Sequence, residues 1–218
     1  MKTRLIIFDM DGTLLDTLQD LADCTNYILD KNGYPTHPLD AYRYFVGNGI
    51  RVLIERALPE QDRNEQRIEE VFQEFIPYYE KHKEDMTKPY DGIIPLLEEL
   101  GKRGVLLSIA SNKVQQAMDP LVAHYFPGIH FAAVLGNRAG IPPKPDPTIV
   151  EDILKITGVS KIETLYIGDT AVDMKTAAAA GIYKIGVLWG FRNREELEQA
   201  GADAIVAHPD EILHYLKH

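Results

Sequence analysis

The chain of 218 residues has little cysteine, no long apolar run near its start and no excess of positive charge. Its single cysteine, Cys24, excludes an internal disulfide and suits a reducing compartment. We interpret Cys24 as a buried apolar side chain because its neighbours include no catalytic partner. The apolar run at residues 5–8 is too short for a signal peptide or a membrane span, so we expect a cytoplasmic protein.

Charge and composition narrow the class of protein further. The 33 acidic residues outnumber the 23 basic ones, and the formal net charge is −10. With no basic stretch in the chain, we expect neither nucleic acid nor an anionic membrane as a partner. We assign no metal-binding role to the seven histidines, which solvated or core positions explain. The length allows one large domain or one domain with an insertion, and it predicts no oligomeric state.

Residues 105–207 alternate between apolar runs and amphipathic segments. The predicted strands are 105–112, 131–136, 164–170, 184–190 and 204–207. The predicted helices are 114–125, 147–157, 172–180 and 194–200, with a further helix after the last strand. Continuous apolar strands separated by amphipathic helices indicate a parallel sheet covered on both faces, so the sequence predicts an α/β fold.

Residues 16–85 do not follow this alternation of strands and helices, because their apolar residues show helical periodicity alone. Apolar positions recur at helical spacing near 18–29, 50–58 and 68–79. Thr17 and Asp20 are predicted to form a capping box, and Pro77 is predicted to kink the third helix. We therefore expect an α/β core domain made of residues 1–15 and 86–218, with residues 16–85 as a helical domain that acts as a lid.

Polar residues follow three predicted strands and one proline-rich loop. They are Asp9, Asp11, Ser111, Lys144, Asp169 and Asp173. Because ligands of open parallel sheets bind at the carboxyl ends of strands, we expect these side chains to meet at one edge. Clustered carboxylates without histidine or cysteine favour a hard cation, above all Mg²⁺. A lysine and a hydroxyl beside that ion suit a phosphate group, with Ser111 expected at a helix start.

These residues fall into four motifs that together resemble the haloacid dehalogenase superfamily. The motifs are DMDGT at 9–13, Ser111 at a strand end, KPDP at 144–147 and GDTAVD at 168–173. The motifs occur in the order typical of the superfamily, and the resemblance covers essentially the whole chain. The resemblance implies a Rossmann-like parallel sheet with an inserted all-α cap of the C1 type. Residues 45–58 and 187–191 are similar to the phosphoglycolate phosphatase-like subfamily.

The resemblance also implies roles for the matching residues. Asp9 would be the nucleophile that forms an aspartyl-phosphate, and Asp11 would be the general acid and base. The Asp9 carboxylate, the Asp11 carbonyl and Asp169 would bind Mg²⁺, with Asp173 acting through water or by orienting the other groups. Ser111, Asn112 and Lys144 would bind the phosphate, with Ser111 and Lys144 stabilising the transferring phosphoryl group.

The helical segment contributes four further candidates. Gly47, Asn48 and Gly49 resemble a cap loop that selects substrate, although they also fit a simple helix start. Arg51 suits a substrate carboxylate, but a surface position on a helix explains it equally well. The same two interpretations stay open for Lys113 and Arg192.

The motifs favour a Mg²⁺-dependent phosphatase of a small phosphorylated metabolite, with 2-phosphoglycolate as the best single substrate. A phosphosugar mutase of the β-phosphoglucomutase type and a pyrophosphatase share the same core. A binding protein without catalysis is the alternative from a different class. Dehalogenation is disfavoured because the superfamily's dehalogenases typically lack an aspartate at the position of Asp11.

Overall fold

The computed structural model describes residues 2–216, which divide into two compact units. Asp16–Lys88 forms a helical unit, and the described residues on either side of this segment form an α/β unit. Two short strands, β2 (Leu15–Asp16) and β3 (Lys88–Pro89), pair with each other where the chain passes between the units. Within the described residues, no helix has the length and apolar character to cross a membrane.

The α/β unit contains a six-stranded sheet in which every recorded strand pair is parallel. Its strands are β1 (Leu5–Phe8), β4 (Leu106–Val114), β5 (Phe131–Asn137), β6 (Thr164–Gly168), β7 (Tyr183–Val187) and β8 (Ala204–Val206). Their order across the sheet is β5-β4-β1-β6-β7-β8. This confirms the parallel α/β sheet predicted from the sequence.

Helices cover the two faces of this sheet. They are α5 (Ile93–Lys102), α6 (Gln115–Tyr125), α7 (Thr148–Thr157), α8 (Ala171–Ala180) and α9 (Arg194–Gln199). Alternate residues of β1 join two separate apolar clusters: Ile6 packs with α5 and α6, and Ile7 packs with α7 and α8. Because neighbouring strand residues point to opposite faces, burial of all four β1 side chains requires helices on both sides.

The strand order places β1 at the centre, between β4 and β6. Phe8, the last residue of β1, pairs with Ile109 on one side and Ile167 on the other. The next residue, Asp9, donates its backbone N–H to the Ile167 carbonyl at 2.9 Å. The loops that follow β1, β4 and β6 therefore begin side by side, at the edge of the sheet where ligands of parallel folds bind.

The helical unit is built from α1 (Leu18–Lys31), α2 (Leu39–Phe45), α3 (Ile50–Ala57) and α4 (Glu65–His82). Leu21, Ile28, Ile54 and Phe75 are among its buried side chains. Cys24 is also buried, as expected, and burial raises the pKa of its thiol to about 12. α2 is absent from the sequence prediction, and α4 runs through Pro77.

The predicted capping box at the start of α1 is wrong. Thr17 precedes the helix, but its buried hydroxyl has no hydrogen-bond partner among the described residues. The Asp20 carboxylate instead accepts the backbone N–H of Met86 at 2.9 Å, and both the N–H and the hydroxyl of Thr87 at 2.8 and 2.7 Å. Asp20 thus anchors the last residues of this unit to its first helix.

Other differences from the prediction lie at element ends. α5 is absent from the sequence prediction, and the expected C-terminal helix is a 3-10 helix over Pro209–Tyr215. Gly158 and Gly181 end α7 and α8 in the left-handed conformation, at φ 66° and 72°. Glycine adopts this conformation without the steric penalty that other residues incur.

Candidate active site

The loop after β1 turns sharply at Gly12, just beyond Asp9 and Asp11. Gly12 has φ 87°, a value that favours glycine, and its amide donates to the Leu15 carbonyl at 2.8 Å. A β-carbon at Gly12 would lie less than 3.0 Å from the Asp169 carboxylate and the Phe191 ring. The glycine therefore permits both the turn and the close approach of Asp169.

Three carboxylates, from the loops after β1 and β6 and from the first turn of α8, form an acidic cluster. Oxygen atoms of Asp9, Asp169 and Asp173 all lie within 4.8 Å of one another. All three residues are buried. Burial, with added repulsion from Asp173, raises the pKa of Asp9 to about 7. Burial and the same neighbour hold the pKa of Asp169 well above its ordinary value.

Lys144 supplies a cation inside this cluster. Its ammonium donates to Asp173 Oδ1 at 2.7 Å, to the Ala110 carbonyl at 2.9 Å and to the Tyr166 hydroxyl at 3.2 Å. It also lies 2.9 Å from Asp9 Oδ1. Burial alone would lower the Lys144 pKa, but Asp173 and Asp9 raise it well above its ordinary value. Lys144 is therefore charged at neutral pH.

The acidic cluster fits a divalent cation by its charge and its donor atoms. When ionised, the carboxylates of Asp9, Asp169 and Asp173 carry three negative charges against the one positive charge of Lys144. The excess of two negative charges, in a buried position, is costly unless a cation compensates it. The donors in the cluster are oxygen atoms only, the ligand type that Mg²⁺ and Ca²⁺ prefer. These residues could therefore hold a hard divalent ion.

The Asp173 carboxylate is occupied by protein groups on both oxygens. Oδ1 accepts from Lys144 and from the Tyr166 hydroxyl, the latter at 3.2 Å. Oδ2 accepts the backbone N–H and the hydroxyl of Thr170 at 3.1 and 2.8 Å, which forms a capping box at the start of α8. Asp173 is thus suited to orient Lys144 rather than to bind an ion directly.

The Asp169 carboxylate is held by two hydrogen bonds from different loops. Oδ1 accepts the Thr13 hydroxyl at 3.2 Å, and Oδ2 accepts the Phe191 backbone N–H at 2.8 Å. One neutral donor on each oxygen fixes the orientation of the carboxylate and leaves further lone pairs for a cation.

Ser111 and Asn112 lie within β4 rather than at a helix start. α6 begins at Gln115, one residue after its predicted start, so Ser111 lies near the end of the strand and four residues before the helix. Ser111 Oγ accepts the Lys113 backbone N–H at 3.1 Å. The Asn112 amide exchanges two hydrogen bonds with the Lys144 backbone, at 2.8 and 3.1 Å. Asn112 therefore positions the loop that carries Lys144.

The structure places two further residues beside the predicted site: Lys113, for which two interpretations were open, and Tyr166, which the sequence analysis did not name. The Lys113 ammonium donates to Asp11 Oδ1 at 3.1 Å, and its side chain is only 3% exposed. The alternative of a solvated surface lysine is thus wrong for Lys113. Tyr166 contacts both Lys144 and Asp173 from the interior of β6, and burial raises the pKa of its hydroxyl. Its position in the sequence, two residues before the Gly-Asp motif, could have identified Tyr166 as a candidate.

Of the four candidates of the helical unit, Asn48 and Arg51 have side-chain partners within that unit. Gly47 and Gly49 have φ values of 107° and 86°, and Asn48 Oδ1 accepts from Arg56 at 2.9 Å. Arg51 pairs with Glu65 and Glu69, and its guanidinium lies 5.6 Å from the centre of the Phe72 ring. Their part in substrate selection stays a prediction. Arg192 pairs with Glu196 at 3.1 Å and lowers the pKa of Asp169 against the effect of burial.

A buried carboxylate and lysine cluster at the carboxyl edge of a parallel sheet is suited to an enzyme that handles phosphate together with a divalent cation. Comparison with known proteins agrees with this class. The chain belongs to the family of haloacid dehalogenase-like hydrolases, whose model matches residues 6–187. This confirms the resemblance inferred from the four motifs.

Individual relatives cover nearly the whole chain. A Mesorhizobium japonicum protein named phosphoglycolate phosphatase is 32% identical over 97% of this chain and 94% of its own length. A Pseudomonas putida protein of the same name is 30% identical over 93% of this chain and 76% of its own length. A crystal structure from Lactobacillus delbrueckii subsp. bulgaricus matches 100% of both chains, with a TM-score of 0.94 and 32% identity.

Proposed function

We propose that this protein is a cytoplasmic, Mg²⁺-dependent phosphatase that hydrolyses 2-phosphoglycolate through an aspartyl-phosphate. The observation that carries the proposal is the buried cluster of Asp9, Asp169 and Asp173 around Lys144, with its excess of negative charge. Membership of the hydrolase family supports the reaction type. The names of the relatives support the substrate.

Asp9 is proposed as the nucleophile. Its Oδ1 accepts the Met10 backbone N–H at 2.7 Å and lies 2.9 Å from Lys144, which fixes the carboxylate plane. Oδ2 attacks phosphorus, the new O–P bond forms as the bond to the leaving oxygen breaks, and an aspartyl-phosphate results. Burial raises the pKa of Asp9 to about 7, so the attacking form requires compensation by positive charge.

Bound Mg²⁺ would be held by the Asp9 carboxylate, the Asp11 carbonyl and Asp169, and it would neutralise phosphate charge. Lys144 contributes a second positive charge at the same place and keeps Asp9 oriented. Ser111 and the backbone amides near it are the proposed donors to the phosphate oxygens. Asn112 takes part through its two hydrogen bonds to the Lys144 backbone.

Asp11 is proposed as the general acid and base. It protonates the leaving alkoxide in the first step, and it removes a proton from the water that attacks the aspartyl-phosphate in the second. Its side chain is 20% exposed, so it can exchange protons with solvent more readily than the buried cluster. The ion pair with Lys113 keeps the Asp11 carboxyl group oriented within the loop that follows β1.

A panel of phosphate compounds tests the proposal. Phosphate release is measured with 2-phosphoglycolate, glucose 1-phosphate and pyrophosphate, each with Mg²⁺ and with a chelator. We expect the highest kcat/KM for 2-phosphoglycolate and no turnover with the chelator. Formation of a bisphosphorylated sugar would indicate a mutase, and preference for pyrophosphate would indicate a pyrophosphatase. Tight substrate binding without turnover would indicate a binding protein.

A further inference from the structure

Residues 189–191, directly after β7, contact both loops of the acidic site. The Trp189 indole N–H donates to the Thr13 carbonyl at 3.0 Å, and the Phe191 backbone N–H donates to Asp169 Oδ2 at 2.8 Å. The Thr13 hydroxyl donates to Asp169 Oδ1 at 3.2 Å. These three hydrogen bonds form a closed circuit that joins the loop of Asp9, the loop of Asp169 and the 189–191 segment.

Gly190 brings this segment against the site because it has no side chain. A β-carbon at Gly190 would lie less than 3.0 Å from the Asp169 side chain and from the Gly12 carbonyl oxygen. Gly190 is not among the glycines with positive φ. Glycine is therefore required at this position because a side chain would not fit, and not because of the backbone conformation. Any larger residue must therefore displace Asp169 or the turn at Gly12.

We propose that residues 189–191 are a positioning element that fixes the Asp169 carboxylate for a divalent cation and ties the turn of the Asp9 loop to it. This inference rests on the proposed function, since it requires a cation at Asp169. Trp189, Gly190 and Phe191 act through Asp169 and Thr13 and are positioning residues. Outer partners of metal ligands hold the ligand atoms in place before the ion arrives, which strengthens binding.

The first test replaces Gly190 by alanine and measures Mg²⁺ binding by calorimetry. We expect Gly190→Ala to weaken Mg²⁺ binding by about 100-fold, at the upper end for loss of outer partners, because the new methyl group displaces Asp169. Gly101→Ala is the matched control, since a β-carbon at that helical position meets no atom within 4 Å. The control should bind Mg²⁺ as the wild type does.

A second variant removes one hydrogen bond and replaces the indole by a smaller aromatic ring. Trp189→Phe keeps an aromatic ring but loses the N–H that donates to Thr13, so we expect about 10-fold weaker Mg²⁺ binding. At saturating Mg²⁺ its kcat should return to within about twofold of the wild type, because the catalytic groups are intact. A merely structural role would lower the unfolding temperature in chelator and leave the Mg²⁺ affinity of the folded protein unchanged.

Trp189 also provides a spectroscopic readout, because it is the only tryptophan of the chain. We expect wild-type tryptophan emission to change as Mg²⁺ is added, with the same midpoint as the calorimetric titration. The positioning role is wrong if the wild type binds Mg²⁺ and both variants bind it with an affinity within about twofold of the wild type. A twofold change is less than the contribution of one hydrogen bond. In that case the proposed function stands. If the wild type binds no Mg²⁺, both proposals are wrong.

Discussion

One ion pair from each unit shows how strongly the surroundings of a charge can differ. In the α/β unit, the Lys144 and Asp173 side chains are 1% and 0% exposed and lie 2.7 Å apart. In the helical unit, Arg67 and Glu70 form an ion pair at 2.7 Å with 42% and 45% of their side chains exposed. The distances are equal, yet the surroundings of the two pairs differ completely.

This difference in burial distinguishes a cluster of charges that serves a function from ion pairs that lie at the surface. Buried ion pairs lose so much hydration that apolar residues in their place are often as stable or more stable. Exposed ion pairs contribute about 0–1 kcal/mol to the free energy of unfolding. The buried cluster around Lys144 is therefore best explained by chemistry, whereas the pairs of the helical unit need no function to explain them.

The largest expected effect is the loss of turnover in Asp9→Asn. The amide cannot attack phosphorus, so kcat should fall by at least about 10⁴-fold, the scale seen when a nucleophile is removed. The fold should persist, and the chelator-treated variant should unfold at or above the wild-type temperature, because one uncompensated buried charge is gone. Circular dichroism and phosphate release check both expectations. Near-normal turnover in Asp9→Asn would contradict the assignment of the nucleophile.

The next effect is a pH dependence of cation binding. The pKa of Asp9 is raised from 3.8 to about 7, so the folded metal-free protein holds a proton there that the unfolded chain has lost. The stability that this group contributes therefore falls as pH rises from about 4 to about 7 in chelator. Because Mg²⁺ must displace this proton, and the pKa of Asp169 is raised as well, its affinity should rise by at least about tenfold per pH unit below pH 7.

Calorimetric Mg²⁺ titrations from pH 5.5 to 8.5 measure this linkage. Release of protons on binding below about pH 7, read from the dependence of the binding heat on the buffer, is the second observable. An affinity that is flat across this range would show that Asp9 carries no proton when the cation arrives.

A smaller effect is expected from Asp20→Ala in the helical unit. Asp20 differs from the exposed charges there, since it is buried and accepts three hydrogen bonds from Met86 and Thr87. Its removal leaves the buried N–H and hydroxyl of Thr87 without this acceptor, so the free energy of unfolding should fall by about 3 kcal/mol. Urea denaturation measures this change. Asp30→Ala is the control, because Asp30 is exposed on the same helix.

The smallest effect is expected from Arg67→Gln. The ion pair with Glu70 is exposed and spans one helical turn, so its loss should change the free energy of unfolding by less than about 0.5 kcal/mol. Urea denaturation at low and high salt provides the measurement. A loss as large as that of Asp20→Ala would remove the contrast between buried and exposed charges.

Much of the α/β fold was predictable because its strands are short, apolar and separated by amphipathic helices. β4 to β8 lie within a few residues of their predicted positions. α2 escaped prediction because it has only seven residues, of which Tyr42 alone is buried, and this leaves no clear helical period. α5 carries a proline in its first turn, which obscures its pattern.

The site was predictable in its residues but not in its contacts. Asp9, Lys144, Asp169 and Asp173 were identified by motif, and the structure brings them together. The pairing of Lys113 with Asp11 joins residues 102 positions apart, and it depends on β1 lying beside β4. The capping box was assigned to α1 from the spacing of Thr17 and Asp20, but the partners of Asp20 lie 66 and 67 residues away along the chain. The structure has its capping box at the start of α8 instead.

The central claim is that Asp9 forms an aspartyl-phosphate that Asp11 then helps to hydrolyse. Asp11→Asn should slow hydrolysis of that intermediate by about 100-fold or more, because the general base is lost. p-Nitrophenyl phosphate needs no general acid, since its leaving group is stable as an anion, so the variant should still form the intermediate at nearly the normal rate.

Rapid acid quench of Asp11→Asn with p-nitrophenyl phosphate and Mg²⁺, followed by mass spectrometry of the Asp9 peptide, is the most direct test. We expect a phosphoryl group on Asp9 that accumulates together with a burst of one p-nitrophenolate per protein molecule. Linear release from the first turnover, with the Asp9 peptide unmodified, would contradict it.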